Sequence, residues 1–125
     1  MELPLAFRRV LEKLPGEAAP PEGDVLVAVE DVPVGAVHVV RHSHEAARLE
    51  RMYVRASARR RGVGDAMLTA AVLMAAEAGY SQLVLDVMAE REAAIRWYRR
   101  RGFGAIPPYQ DYRRPMISLA RDLNG

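Results

Sequence analysis

Near the middle of the chain, a strand-like segment, a turn containing glycine and a helix-like segment follow one another, and this order constrains the fold most. Residues 47–55 have the composition of a strand, and residues 63–78 place apolar side chains at helical spacing before the helix stop Gly79. The apolar run at residues 81–87 is typical of a buried central strand. Because a helix that connects neighbouring strands of one sheet returns the second strand parallel to the first, the segment predicts a parallel pair with a crossover helix.

The other segments predict antiparallel strands around this crossover. A turn at residues 31–33 separates two apolar runs, at 24–30 and 35–40, and predicts a hairpin. The further predicted elements are an amphipathic helix at 5–14, a third strand at 47–55, a second helix at 92–100 and two closing strands at 103–106 and 116–123. The predicted fold class is α/β (α+β), with a mixed, mostly antiparallel sheet and helices on both of its faces.

The length and composition limit the classes of protein to consider. At 125 residues the chain fits one domain, residues 1–125. The absence of cysteine excludes disulfides, thiolate zinc sites and cysteine nucleophiles. No apolar run approaches the roughly 20 residues that cross a bilayer, and the first residues lack the pattern of a secretory signal. We therefore expect a cytoplasmic protein with no membrane partner.

The turn before the central helix has the features of a phosphate site. Gly62 and Gly64 lack a Cβ atom, so a ligand can approach the backbone closely where the first N–H groups of the helix are free. The positive end of the helix dipole also attracts an anion. Met67 occupies the place of the third glycine in the dinucleotide fingerprint, and the GK[ST] sequence of the nucleoside triphosphate loop is absent, so both of those motifs are rejected.

The basic residues are almost all arginine, and they form two clusters, at residues 59–61 and 99–101. Arginine forks suit phosphate oxygens, although a solvated surface is an equally good interpretation of the second cluster. No aromatic residues alternate with the arginines at 59–61, and the net charge is only +2. Nucleic acid is therefore not an expected partner.

The sequence Arg-x-x-Gly-x-Gly, at Arg59, Gly62 and Gly64, resembles the pyrophosphate motif of the GNAT acetyltransferase superfamily. The surrounding segments follow the order of that family, including AAIRWYRRRGF, which resembles its "AI..Y...GF" segment. The resemblance covers about residues 25–123, and the sequence IPPY near the end is similar to that of one bacterial subgroup.

The resemblance implies a co-substrate, acetyl-CoA, and the backbone groups that bind it. The backbone of Met52, Tyr53 and Val54 would pair with the pantetheine arm as an added strand does, beside the gap between two diverging strands. The charge of Arg59 would assist in binding the pyrophosphate. The backbone amides implied in that contact belong to Arg60, Arg61, Gly62, Val63, Gly64 and Asp65.

The resemblance also implies two catalytic residues. Tyr98 occupies the position of the tyrosine that protonates the leaving thiolate in many members, although packing beside Trp97 is the alternative. Glu50 matches a glutamate that some members use as the base, although an ion pair with Arg48 or Arg51 is the alternative. Alternation along the strand predicts that Glu50 and Arg51 lie on opposite faces.

No metal is expected. His42 and His44 have a spacing that suits metal ligation on a strand, but they lie in a predicted turn without a third ligand. Asp86, on the predicted buried strand, is expected to have a structural or cofactor-side role rather than to act as a base.

The chain departs from the family pattern in two places. Residues 90–92 replace an asparagine that usually contacts coenzyme A, and the N-terminal region is expected to be shortened. The acceptor site is then open or completed by another subunit, as in a homodimer. The predicted function is N-acetyl transfer to a primary amine of a small molecule, peptide or protein, and the alternative is a non-catalytic CoA-binding or interaction module.

Overall fold

The computed structural model describes residues 6–9, 23–29, 32–59, 62–110 and 113–124. These residues include seven strands and two α-helices, together with a short 3-10 turn at Ala56–Ala58. In chain order the elements are β1 (Ala6–Arg9), β2 (Gly23–Val29), β3 (Pro33–Arg41), β4 (Ala46–Val54), α1 (Val63–Glu77), β5 (Gln82–Met88), α2 (Glu92–Arg100), β6 (Gly104–Ile106) and β7 (Met116–Asp122).

One sheet contains all seven described strands, in the spatial order β1-β2-β3-β4-β5-β7-β6. Neighbouring strands run antiparallel at every junction except the one between β4 and β5, which are parallel. Helix α1 makes the crossover between those two strands, and α2 connects β5 to β6. The predicted mixed, mostly antiparallel sheet with a helical crossover is therefore confirmed.

The core lies between α1 and the strands β2 to β5. Met67 and Ala71 of α1 are fully buried, and Leu68 is nearly so. Full burial of a side chain the size of leucine or methionine contributes about 1.5–3 kcal/mol, so this face holds the helix on the sheet. Gly35 on β3 permits the close approach, because a Cβ atom there would lie 2.6 Å from Met67 Sδ and 2.8 Å from the Tyr53 carbonyl oxygen.

The two helices lie where the sequence predicts them. Helix α1 begins at the predicted residue and ends one residue early, and Gly79 then adopts a φ of +96°, which favours glycine. Helix α2 has the predicted bounds. Pro33 differs from the prediction, because it begins β3 instead of lying in the turn. Proline, which has no N–H to donate, is tolerated as the first residue of a strand.

The predicted helix at residues 5–14 is wrong where the structure describes it. Ala6–Arg9 forms β1, which pairs antiparallel with β2 so that Phe7 lies opposite Ala28. The edge of β2 offers a ladder of backbone hydrogen bonds, and this tertiary pairing outweighs a helical pattern that depended on a few apolar positions. The rest of that prediction, and the region between β1 and β2, lie outside the described residues.

Candidate active site

The strands β4 and β5 diverge after a short parallel ladder. Ala46, Ala47 and Arg48 pair with successive residues of β5, beginning at Gln82, and no later pairing joins the two strands, although β4 continues to Val54. The edge of β4 that faces β5 is therefore open over its second half. Met52, Tyr53 and Val54, the residues expected to pair with the pantetheine arm, lie on this half of the strand. The predicted splay is confirmed, and the binding role of these residues stays a prediction.

A β-bulge interrupts β4 at the start of this open half. Glu50 pairs with His38 and Tyr53 pairs with Ala36, so two residues of β4 oppose one residue of β3. Arg51 lies in the bulge with a φ of +53° and is the only non-glycine residue of the described chain with a positive φ. The predicted alternation is therefore wrong at Arg51, because the extra residue breaks the period of two.

The glycine turn lies beside Val54, at the end of the open half of β4. Gly62 caps α1 in the left-handed conformation, with φ 80° and ψ 6°, and a Cβ atom added there meets no described atom within 4 Å. At Gly64 an added Cβ would make an ordinary contact with the Trp97 ring, at 3.6 Å. A depression of about 310 Å³ lies beside the turn. Its lining residues are Val54, Arg59, Gly62, Gly64, Asp65 and Trp97.

Two arginines connect the glycine turn and the start of α1 to neighbouring elements through hydrogen bonds. The Nε of Arg59 donates a hydrogen bond to the carbonyl oxygen of Val54 at 3.0 Å, which connects the turn to the end of β4. Arg101 donates to Asp65 in the first turn of α1, and its guanidinium lies 4.0 Å from the centre of the Trp97 ring. This hydrogen bond holds the pKa of the Asp65 carboxyl below its usual value.

The predicted pyrophosphate contacts are only partly described. Arg60 and Arg61 lie outside the described residues, whereas Val63 begins α1 and is buried. The assignment of the turn to pyrophosphate stays a prediction.

A cleft of about 250 Å³, smaller than the depression beside the glycine turn, lies between the diverging strands. We call it the smaller cleft. Both predicted catalytic residues line it, and they come together from β4 and α2. The lining residues are Arg48, Leu49, Glu50, Arg51, Leu85, Asp86, Tyr98 and Gln110.

Tyr98 is largely buried, and its hydroxyl is 4.0 Å from Met52 Sδ on the open half of β4. Its ring makes edge contacts with Trp97 and Phe103, with centroids 5.1 and 5.6 Å apart. Burial raises the pKa of the Tyr98 phenol above 10, against a smaller lowering by the positive charge of Arg91. The phenol is therefore protonated at neutral pH and can donate its proton. The alternative interpretation, packing beside Trp97, is confirmed, and the catalytic role of Tyr98 stays a prediction.

Glu50 is held by its neighbour on the same strand. The Nε and one terminal nitrogen of Arg48 donate to Glu50 Oε2, at 3.0 and 2.6 Å. A second carboxylate, Asp86, accepts a hydrogen bond of 2.8 Å from the buried hydroxyl of Ser118. The cleft therefore holds two carboxylates, each oriented by a donor.

The sequence analysis does not assign Gln110 to the site, considers Arg48 and Arg51 only as ion-pair partners of Glu50, and gives Asp86 a structural or cofactor-side role. A charged residue within the apolar run of β5 is a signal that singles out Asp86. No comparable signal exists for Gln110, which follows the two prolines after β6 and enters the cleft only through the course of that loop.

His42 lies near this cleft, with its ring centroid 4.4 Å from that of Tyr109. Burial lowers its pKa, the charge of Arg48 lowers it further, and Asp86 opposes the shift, so His42 is neutral at pH 7. Among the described residues, no group of three or more histidine, aspartate or glutamate side chains could hold a metal ion. None of the described helices is long and apolar enough to cross a membrane.

A model of the acetyltransferase (GNAT) family matches residues 3–103 of the chain. The fold is similar to that of a GNAT family acetyltransferase from Elizabethkingia anophelis with acetyl-CoA bound, with a TM-score of 0.78, 15% identity, and coverage of 94% of this chain and 97% of that one. The IAA acetyltransferase from Bacillus cereus gives a TM-score of 0.76 at 17% identity, covering 95% and 99% of the two chains. Ard1 from Thermoplasma volcanium gives 0.67 at 25% identity, covering 78% and 69%. No curated protein matches the sequence.

Proposed function

Because the chain belongs to the acetyltransferase (GNAT) family, we propose that it moves an acetyl group from acetyl-CoA to a primary amine of a small molecule, a peptide or a protein. The observation that carries the proposal is the divergence of β4 and β5, which leaves the edge of β4 open directly beside the Tyr98 hydroxyl. An open strand edge can bind an extended ligand by backbone pairing, and the hydroxyl is then in reach of the reacting end of that ligand.

The residues present fit acetyl-CoA. The open space at Gly62 and the start of α1 suit a pyrophosphate, and the depression beside them leads to Val54 at the end of the open strand. The Asp65 carboxylate would repel an anion here, but its ion pair with Arg101 compensates its charge. Bound acetyl-CoA supplies the acetyl group as a thioester, whose C–S bond breaks as the amine nitrogen forms the C–N bond.

In this proposal Tyr98 donates to the departing sulfur. Its phenol has a pKa above 10 because it is buried, so it remains protonated until the thiolate develops beside it. The thiolate takes the phenolic proton, and the tyrosine recovers a proton from solvent before the next turnover.

Glu50 is the proposed base, which takes the proton that the amine loses, directly or through a water molecule. Its ion pair with Arg48 fixes its position on the wall of the cleft. Asp86 lines the same cleft, so substituting each carboxylate in turn tests which of the two accepts the proton. We expect Glu50→Gln to lower kcat by about 10²-fold or more, as for loss of a general base, and Asp86→Asn to lower it less. The reverse order would assign the proton transfer to Asp86.

The test of the function has two parts. Thermal unfolding is first measured with acetyl-CoA, CoA and ATP, because a ligand at 100 times its Kd adds roughly 2.7 kcal/mol to stability. We expect stabilisation by the two coenzyme A compounds and not by ATP, and equal stabilisation by ATP would contradict the cofactor assignment. Release of free thiol is then followed with a panel of amines. Coenzyme A binding without thiol release for any amine would favour a non-catalytic binding module.

A further inference from the structure

We propose that the acceptor is a small molecule that carries a carboxylate next to its primary amine, and that Arg51 binds the carboxylate. This inference rests on the proposed acetyl transfer and names the class of acceptor for the same site. A free amino acid has this arrangement. The amino terminus of a peptide does not, because an uncharged amide follows its amine.

The first observation is the position of Arg51 in the bulge of β4. Regular alternation would put Arg51 on the face of Leu49, which is buried with only 6% of its surface exposed. The bulge instead leaves Arg51 exposed next to Glu50 on the wall of the smaller cleft. Bulges commonly redirect a side chain beside an active site.

The second observation is the cost of this backbone conformation. Arg51 has a φ of +53°, a left-handed conformation that is unfavourable for residues other than glycine. Glycine or asparagine would suit the bulge better on backbone grounds alone. A strained arginine that lines a cleft is therefore an indication of a role for its side chain.

The third observation comes from the charged groups of the cleft. Four charged side chains line it: Arg48, Glu50, Arg51 and Asp86. Arg48 and Glu50 form an ion pair with each other. Asp86 accepts from the Ser118 hydroxyl, which satisfies one oxygen without compensating the charge.

Arg51, in contrast, makes no hydrogen bond or ion pair with any other described residue. Of the charged groups close to the lining, His42 is neutral at pH 7 and Arg91 adds positive charge near Tyr98. The cleft thus offers one cation and one carboxylate, Arg51 and Asp86, that are not in an ion pair within the described chain.

These two charges match those of a small amino carboxylate. A guanidinium binds a carboxylate through two parallel hydrogen bonds, and Asp86 can attract the ammonium form of the amine before it loses its proton. The cleft volume of about 250 Å³ suits a small acceptor. Binding of the carboxylate by Arg51 would then orient the amine within the cleft that Tyr98 also lines.

The test compares the common amino acids with the corresponding amino acid amides, which keep the amine and remove the negative charge. We expect at least one amino acid to react with a kcat/KM about 10-fold or more above that of its amide, as for a hydrogen-bonded charged group. Arg51→Gln should lower the value for the acid to near that of the amide and should change the value for the amide much less. Arg96→Gln, an exposed arginine on α2, is the matched control and should change neither.

Arg51→Gly separates binding from folding. It removes the guanidinium but suits the positive φ, so we expect unchanged or higher thermal stability together with the loss of discrimination. Lower stability with retained discrimination between acid and amide would show that Arg51 has a structural role and would overturn the inference.

A measurement of binding distinguishes failure of this inference from failure of the proposed function. Calorimetric titration of the protein, saturated with free CoA, with each acid and amide reports the acceptor site without any turnover. Acids that bind better than their amides, in the absence of thiol release, would support Arg51 and contradict the enzyme assignment. Acids and amides that bind or react equally in the unmodified protein would overturn the inference while thiol release still supports acetyl transfer.

Discussion

The two ends of the region between β4 and β5 are built in different ways. The pyrophosphate contacts predicted for the glycine turn are mainly backbone groups of consecutive residues, and Gly62, which caps α1, has a left-handed conformation. The smaller cleft is lined by side chains that come from β4, β5, α2 and the loop before β7. The first kind of site can be recognised from a short motif, whereas the second exists only after the fold has assembled it.

The largest expected effect comes from Tyr98, which lines the smaller cleft and whose hydroxyl lies beside the open half of β4. Tyr98→Phe should lower kcat by about 10²- to 10⁴-fold, because general acid assistance is lost, and should leave acetyl-CoA affinity nearly unchanged. Steady-state thiol release and a separate binding titration measure the two effects. Tyr80→Phe, a half-buried tyrosine before β5, is the control and should retain full activity. Lower stability with normal turnover would assign Tyr98 to packing alone.

The second prediction concerns the backbone end. Gly62→Val should raise the Kd for acetyl-CoA by about 10-fold or more, because its side chain enters the open space of the turn. The variant should also be less stable, because a β-branched residue at φ +80° lowers the free energy of unfolding by at least about 1–2 kcal/mol. Gly64→Val should also weaken binding, and its added Cβ has room beside Trp97, so its stability should change less. Equilibrium binding and thermal unfolding separate the two effects. Gly104→Val, away from the turn, is the control, and unchanged affinity in both turn variants would contradict the assignment of the site.

The third prediction concerns Arg59, whose side chain connects the glycine turn to the end of β4. Arg59→Ala should raise the Kd for acetyl-CoA by roughly fivefold, because one hydrogen bond, to the Val54 carbonyl, contributes about 1 kcal/mol. This effect is smaller than that of the glycine variants because the backbone of the turn is retained. Arg100→Ala, an exposed arginine on α2, should have no effect on the same titration. An equal effect of both variants would indicate only long-range attraction by positive charge.

Much of the fold could be predicted because local patterns and tertiary packing agree over most of the described chain. The crossover at α1 combines a helical apolar face, a glycine stop and an apolar strand, and each of these signals indicates the same structure. Residues 6–9 are the exception. Their local pattern favours a helix, but the edge of β2 lies within reach in the folded chain and the strand forms.

The smaller cleft could not be predicted in the same way. Alternation along β4 predicts opposite faces for Glu50 and Arg51, and the bulge at Arg51 cannot be derived from the composition of the strand. Gln110 enters the cleft through the course of a loop, which local sequence does not specify. The family resemblance identifies Tyr98 and Glu50 as catalytic candidates, and the structure adds the neighbours that surround them.

The smallest expected effect concerns the ion pair of Asp65 and Arg101, which connects the start of α1 to the end of α2. Arg101 lowers the pKa of Asp65 in the folded state, so the carboxylate contributes stability above its unfolded pKa, near 3.9, and loses it as the pH falls through the folded value. Since the Asp65 side chain is 55% exposed, solvent screening limits the contribution to about 0.2–1 kcal/mol.

Asp65→Asn should therefore reduce the free energy of unfolding at pH 7 by that small amount, and the difference from the unmodified protein should disappear well below pH 3.9. Denaturant unfolding at a series of pH values measures it, with Glu77→Gln at the exposed end of the same helix as the control. The variant also removes a negative charge from the anion site, so acetyl-CoA affinity should not decrease. A difference that persists at low pH would mean that Asp65 stabilises the turn by hydrogen bonding that asparagine cannot replace, and not by its charge.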